Sequence, residues 1–181
     1  MADEYSESVS IPQGVTAQVD GSTLIVKGEK GSIQRDFTHP RISIAVDDKE
    51  VVFKTASYTR AEKKFIKSYL AHVRNMFHGA TQGHEYKLKI CSGHFPMNVS
   101  VKGNTLEVKN FIGEVVPRTL TIQSDVKVGV KGEEIVVTGI QKEKVSQVAA
   151  SIEKLTRRNG FDKRTFQDGI YITQKDSKPI K

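Results

Sequence analysis

Tryptophan is absent from the 181 residues, cysteine occurs once, proline five times, and aromatic residues make up only 7% of the chain. A single cysteine, Cys91, excludes an intrachain disulfide, so nothing calls for an oxidising compartment. No apolar run approaches the length of a membrane span, because the best helical candidate is broken by Lys67 and Arg74. Residues 1–10 carry Asp3, Glu4 and Glu7 where a secretory leader places basic and then apolar residues. The expectation is therefore a cytoplasmic protein that has no leader and makes no membrane contact.

The usual catalytic constellations are missing too. No glycine-rich phosphate loop is present, and Gly21, Gly28 and Gly31 read as hairpin and bulge glycines. The histidines lack the paired spacing of a metal site, and Cys91-x-x-His94 supplies only two of the four ligands a structural zinc requires. Within Leu88-Lys89-Ile90-Cys91 the thiol reads as a small buried hydrophobe rather than a nucleophile. The acidic pairs Asp47-Asp48 and Glu133-Glu134 sit at hairpin turns, where solvation accounts for them. No enzyme, cofactor, metal or small-molecule substrate is expected.

What the chain does contain is a duplication. Residues 19–31, Val19-Asp20-Gly21-Ser22-Thr23-Leu24-Ile25-Val26-Lys27 and on to Gly31, reappear at 101–113 as Val101-Lys102-Gly103-Asn104-Thr105-Leu106-Glu107-Val108-Lys109 and on to Gly113, a shift of 82 positions (101 minus 19). Ile11-Pro12 and Phe95-Pro96 open the two copies, and Glu50-Val51-Val52 matches Glu134-Ile135-Val136. In the first copy Val15, Ala17 and Val19 alternate, Asp20-Gly21-Ser22 turns, and Leu24 and Val26 return, which is a hairpin pattern. A second hairpin follows from Ile42, Ile44 and Val46 to Val51-Val52-Phe53. Thr59-Arg60-Ala61-Glu62 has capping-box form, and Phe65, Ile66, Tyr69, Leu70, Val73, Met76 and Phe77 recur at helical spacing, with Gly79 as the expected stop. The second copy repeats this order, its helical stripe of Val145, Val148, Ala149, Ile152 and Leu155 ending by Gly160.

The fold class expected is α+β, as two tandem duplicated modules, each a small antiparallel sheet packed against one helix. The boundaries read as a flexible acidic segment 1–10, modules 11–82 and 83–173, and a flexible basic tail 174–181. A net charge of +7 favours a polyanionic partner. The charge is uneven: Lys154, Arg157, Arg158, Lys163 and Arg164 face only Asp162 within 154–164, and Lys175, Lys178 and Lys181 follow. Cations in a last helical turn complement the helix dipole, which accounts for Arg157 and Arg158 but not for Lys163 and Arg164 beyond Gly160. Arginines in an irregular segment offer bidentate forks to phosphate. Phe161, Phe166 and Tyr171 are interleaved with them, as stacking surfaces for bases or as core.

Four segments carry a family resemblance: Asn75-Met76-Phe77-His78-Gly79, His94-Phe95-Pro96-Met97, Asn110-Phe111-Ile112-Gly113-Glu114 and Phe166-Gln167-Asp168-Gly169-Ile170-Tyr171-Ile172. In this order and spacing the chain resembles the large-subunit ribosomal protein L-six family in its archaeal and eukaryotic form, from Ile11 to about Lys175. The resemblance implies a structural constituent of the large ribosomal subunit that binds large-subunit rRNA near the subunit interface, the stalk base and the translation-factor site. Neighbouring large-subunit ribosomal proteins and the stalk base are its implied partners. Arg157, Arg158, Lys163 and Arg164 then fall in the family's basic loop and Phe166-Gln167-Asp168-Gly169 in its closing turn, with Lys175 beyond it, and Lys87, Lys89 and His94 in the segment that enters the second module. His84, Ser92-Gly93, Val115 and Ser146 depart from the family's usual residues. The alternative class is a non-catalytic protein-interaction scaffold of tandem β modules.

Overall fold

The computed structural model describes residues 5–47, 49–56, 59–162 and 164–180. The chain divides into two compact units, the first ending at Gly83 and the second beginning at His84. Both are α+β, with all strand pairings antiparallel, as expected from the duplication.

In the first unit, β1 (Tyr5–Ser10) is followed by β2 (Thr16–Asp20), β3 (Thr23–Gly28), β4 (Gly31–Asp36), β5 (Ile42–Asp47), β6 (Glu50–Thr55) and α1 (Arg60–Thr81). The strands form two hydrogen-bonded sheets, in the orders β1-β6-β5 and β2-β3-β4, where one small sheet was anticipated. Alternation aims Leu24 and Val26 of β3 and Val51 and Phe53 of β6 inward, all fully buried, against Ile66, Leu70 and Val73 of α1. Helix α1 starts where the capping box places it. The Thr59 hydroxyl accepts a hydrogen bond from the Ala61 N–H and bonds the Glu62 carboxylate. It does not stop at Gly79. That glycine is buried within the helix, and the neighbouring Ala80 carbonyl lies so near Gly28 that a Cβ there would meet it at 2.5 Å. The left-handed residue that terminates α1 is Gly83 (φ +81), whose N–H returns to the His78 carbonyl at 3.1 Å.

In the second unit the order is β7 (His84–Cys91), β8 (Asn98–Lys102), β9 (Thr105–Lys109), a single 3-10 turn (Phe111–Gly113), β10 (Arg118–Thr121), β11 (Val126–Lys131), β12 (Glu134–Gly139), α2 (Lys142–Leu155), β13 (Gly169–Lys175) and β14 (Lys178–Pro179). Its sheets run β10-β9-β8 and β11-β12-β7-β13-β14. Tyr86, Leu88 and Ile90 of β7, Ile135 and Val137 of β12, and Ile170 of β13 form one core with Val145, Val148, Ala149 and Ile152 of α2.

Two expectations about the ends are corrected. Residues 5–10 are a strand rather than a flexible segment: β1 pairs with β6 from Tyr5↔Thr55 to Ser10↔Glu50. Shifting β1 by 82 positions gives 87–92, which overlaps β7, so the duplication already contained this strand. At the other end, 174–180 completes a hairpin, with Gln174↔Pro179 and Lys175↔Lys178 in register. Asp176 (φ +51) turns that hairpin, and its carboxylate bonds Nδ1 of the buried His84 at 3.0 Å. Met1 to Glu4 and Lys181 lie outside the described residues.

Candidate nucleic-acid interface

Every residue proposed for RNA contact belongs to the second unit. The basic segment begins where α2 ends, at Leu155, five residues before the expected stop at Gly160. The Thr156 hydroxyl donates to the Glu153 carbonyl (3.3 Å) and accepts from the Ile170 N–H (2.9 Å), which ties the helix end to β13. The terminal carbonyls are claimed by a residue from another element. Arg118, on β10, donates from Nη1 to the Leu155 carbonyl at 2.7 Å and to the Arg157 carbonyl at 3.5 Å. Its other nitrogens hold both oxygens of Glu114 at 2.8 and 2.6 Å, and its guanidinium carbon lies 4.4 Å from the Phe111 ring centroid. The Glu114 carboxyl is held below its ordinary range chiefly by this hydrogen bonding. Arg118 therefore presents Arg157 and Arg158 while its own charge is spent within the fold.

The far end of the segment is latched by Asp168, a buried carboxylate. It accepts hydrogen bonds from the Gly93 N–H (2.7 Å), the His94 N–H (3.0 Å) and His94 Nδ1 (2.6 Å). Burial opposes the charged form, but together the bonds from the His94 backbone and side chain and from Gly93 outweigh it, so the pKa is lowered. Asp162 organises the middle, accepting from the Arg164 backbone N–H (2.9 Å) and side chain (3.2 and 3.0 Å).

Between the latch and α2 lies a cleft of about 340 Å³. Ile112, Ile170, Phe161, Phe166 and Tyr171 supply its apolar wall, and Lys154, Arg157 and Arg158 its cations. The rings of Phe161 and Phe166 meet edge to face at 5.2 Å, Phe166 lies against His94 at 5.0 Å, and the Arg158 guanidinium covers Phe161 at 4.0 Å. Ile112 holds a left-handed backbone (φ 49), a costly conformation for a β-branched residue, next to the deeply buried Phe111.

The structure thus brings Arg157, Arg158, Phe166 and His94 together. Arg164 projects nearby with its side chain 92% exposed, and Lys163 lies outside the described residues. Lys87 and Lys89 stand apart on the sheet face opposite α2, where Lys89 is in register with Tyr171, and neither lines the cleft. Lys87 is 3.7 Å from Glu85. Lys175 does not share that face. A register shift between Ile172 and Gln174 sets it opposite Tyr86, which points to the helix side. Cys91 is half-buried at the sheet end rather than in the core, and His94 beside it is committed to Asp168. Among the described residues no group of three or more His, Cys, Asp or Glu side chains is placed to hold a metal ion. No described helix is long and apolar enough to cross a membrane.

The family model of Ribosomal protein L6 matches the chain twice, over residues 11–83 and 95–169. The chain belongs to the Ribosomal protein L6 family. Among its relatives, "Large ribosomal subunit protein uL6" of Methanocella arvoryzae is 43% identical over 176 residues, 97% of this chain and 99% of that protein. The uL6 of Sulfurisphaera tokodaii is 44% identical over 94% of this chain and 92% of its own, and that of Desulfurococcus amylolyticus 44% over 94% of each. The two L6 matches fall one in each compact unit, so the duplication read from the sequence is a duplication of the family's domain. The second match stops at Gly169, which includes the basic segment and its Asp168 latch but leaves out most of β13.

Arg118 and Asp168 are the site residues that sequence reading passed over. Glu114 four residues before Arg118 was a visible pairing signal. Nothing local could have told that this arginine caps a helix 37 residues away. Asp168 was read only as part of a closing turn.

Proposed function

We propose that the protein is a constituent of the large ribosomal subunit, in the ribosome of the cytoplasm, and that its second unit braces large-subunit rRNA through the basic segment after α2. The observation that carries this reading is the placement of Arg157 and Arg158, exposed at a helix end, beside the 92% exposed side chain of Arg164, which is paired with Asp162, and a half-exposed aromatic pair, on a segment tied by Arg118 at one end and Asp168 at the other. Three guanidinium groups on a latched loop neutralise phosphates without induced folding, and A-form RNA is read mainly through backbone and 2′-hydroxyls. The names of the uL6 relatives support the subunit assignment. The finer placement, near the subunit interface, the stalk base and the translation-factor site, rests on the family resemblance. The role is structural, with no catalytic step.

Contacts with neighbouring ribosomal proteins belong to the same proposal. The loop between the 3-10 turn and β10 carries Val115 and Val116 at 96% and 77% exposure, an apolar tip suited to a protein neighbour. The test is chemical footprinting of large-subunit rRNA with and without the chain, alongside co-sedimentation with ribosomal subunits. Protection confined to helices at the stalk base and factor site, together with sedimentation in the large subunit, is the expected result. Protection elsewhere removes the placement, and sedimentation with the small subunit or with neither removes the assignment.

A further inference from the structure

Phosphate contacts alone need cations, not the apolar wall that the second unit sets behind them. We propose that the cleft between α2, the segment 157–168 and β13 is a binding site for one nucleobase extruded from an RNA helix, with the adjoining phosphates on Lys154, Arg157 and Arg158. The proposal rests on the RNA-binding reading above and names what this part of the surface takes hold of.

Its volume of about 340 Å³ accommodates a planar ring system, and its lining includes the three cations. The wall offers the face-and-edge pair Phe161 and Phe166, with Phe161 still 38% exposed. Bases stack on aromatic rings and on guanidinium planes, and Arg158 already lies over Phe161 at 4.0 Å, so an inserted ring finds both kinds of surface. The two carboxylates that line the cleft are occupied. Glu153 accepts from the Ile172 N–H at 3.3 Å, and Asp168 accepts from Gly93 and His94. The Thr156 hydroxyl is likewise bonded to Glu153 and Ile170. With Glu153, Asp168 and Thr156 already bonded, the wall presents stacking surface more than a hydrogen-bonding code, so the site takes any base and favours purines for their larger area. An extruded base avoids the unpairing cost where it is already unpaired, so the favoured partner is a helix carrying a single-nucleotide bulge.

The test uses the full chain and three RNA hairpins of one sequence: one with a single bulged 2-aminopurine, one with an abasic residue at the bulge, and one fully paired. Base–aromatic stacking is strong enough to set an affinity gap of about tenfold between the first two. The expected result is that gap, with a fluorescence change of the 2-aminopurine on binding. Phe166→Leu and Phe161→Leu are expected to close it while leaving the salt dependence intact, whereas Arg157→Gln weakens all three hairpins alike. Equal affinity for bulged and abasic hairpins, with binding still salt-dependent, overturns the base site and leaves the RNA reading standing. Absence of salt-dependent binding to every hairpin overturns both. Because the key comparison varies the RNA and not the protein, a misfolded variant cannot produce the result.

Discussion

After α1, the first unit needs only Gln82 and Gly83 before the next strand, while after α2 the second unit runs through 13 residues, 156–168, before β13. The frames are otherwise alike: a leading strand (β1, β7), a three-strand meander, a hairpin and a helix, with the leading strand paired to the second hairpin strand. Charge follows the difference. Residues 1–83 hold 11 Lys and Arg against 10 Asp and Glu, a net of +1, whereas 84–181 hold 17 against 11, a net of +6. What was duplicated is a scaffold, and residues 156–181, which only one copy carries, hold seven Lys and Arg against three Asp and Glu. In that copy a strand beyond β7, latched by Asp168 and tied to Thr156, gives the inserted loop two fixed ends.

Removing that addition is the largest perturbation. A chain ending at Arg158 loses β13, including Ile170 at 1% exposure, and leaves one edge of β7 unpaired. The cost exceeds the ~2–5 kcal/mol of emptying one buried isoleucine site. Amide hydrogen exchange is expected to show lost protection across β7, β12 and α2 while α1 and β3 keep theirs. Deleting residues 1–10 removes an edge strand whose residues are at most half-buried, so a smaller loss, confined to the first unit, is expected. Equal losses from the two cuts would break the contrast.

A middle-sized effect comes from the two anchors. Asp168→Asn removes the anionic acceptor of three donors, and a loss of about 2 kcal/mol in urea unfolding of the second unit is expected. Arg118→Met uncaps α2 and leaves Glu114 without its guanidinium partner. It is expected to cost about 1–2 kcal/mol and to weaken RNA affinity several-fold, although on this reading Arg118 touches no RNA. An Arg118→Met chain with full affinity would sever the loop's positioning from its function.

The smallest effect is the pH dependence of the Asp168 latch. Its folded pKa lies below its unfolded one, so its contribution is complete above the unfolded value of ~3.9 and fades as pH falls through the lower folded value. The stability gap between the native chain and Asp168→Asn, measured at pH 7 and again near pH 3, is expected to narrow. A gap unchanged by acid would mean that the carboxylate's charge is not what holds the loop.

The sequence revealed these features unevenly, for physical reasons. Apolar alternation exposed β3, β5, β6 and β12, and helical spacing exposed α1 and α2, because those elements bury a stripe against one another. Strand β1 was hidden because Ser6, Glu7, Ser8 and Ser10 give it almost no apolar stripe; only the 82-residue shift could have found it. Gly79 misled as a helix stop because a glycine buried inside a helix carries no local sign that separates it from a cap; the left-handed residue is Gly83. The cations of the loop were legible as a charge imbalance. Their grouping was not, since a bulge after Ile172 sends Lys175 to the other face from Lys87 and Lys89, and a bulge has no apolar signature.

On the proposed function the non-duplicated loop, rather than the basic charge of the protein as a whole, meets RNA. The most direct measurement is the slope of log affinity against log potassium concentration for a large-subunit rRNA fragment, taken for the native chain and two variants of equal charge. One carries Arg157→Gln, Arg158→Gln and Arg164→Gln, and the other Lys64→Gln, Lys67→Gln and Arg74→Gln on the exposed side of α1. With roughly 0.7–0.9 units of slope per neutralised phosphate, the first variant is expected to flatten the slope by about 2 units and the second to leave it unchanged. Equal flattening by both variants, or flattening by the α1 variant alone, would mean that the loop is not where RNA is held.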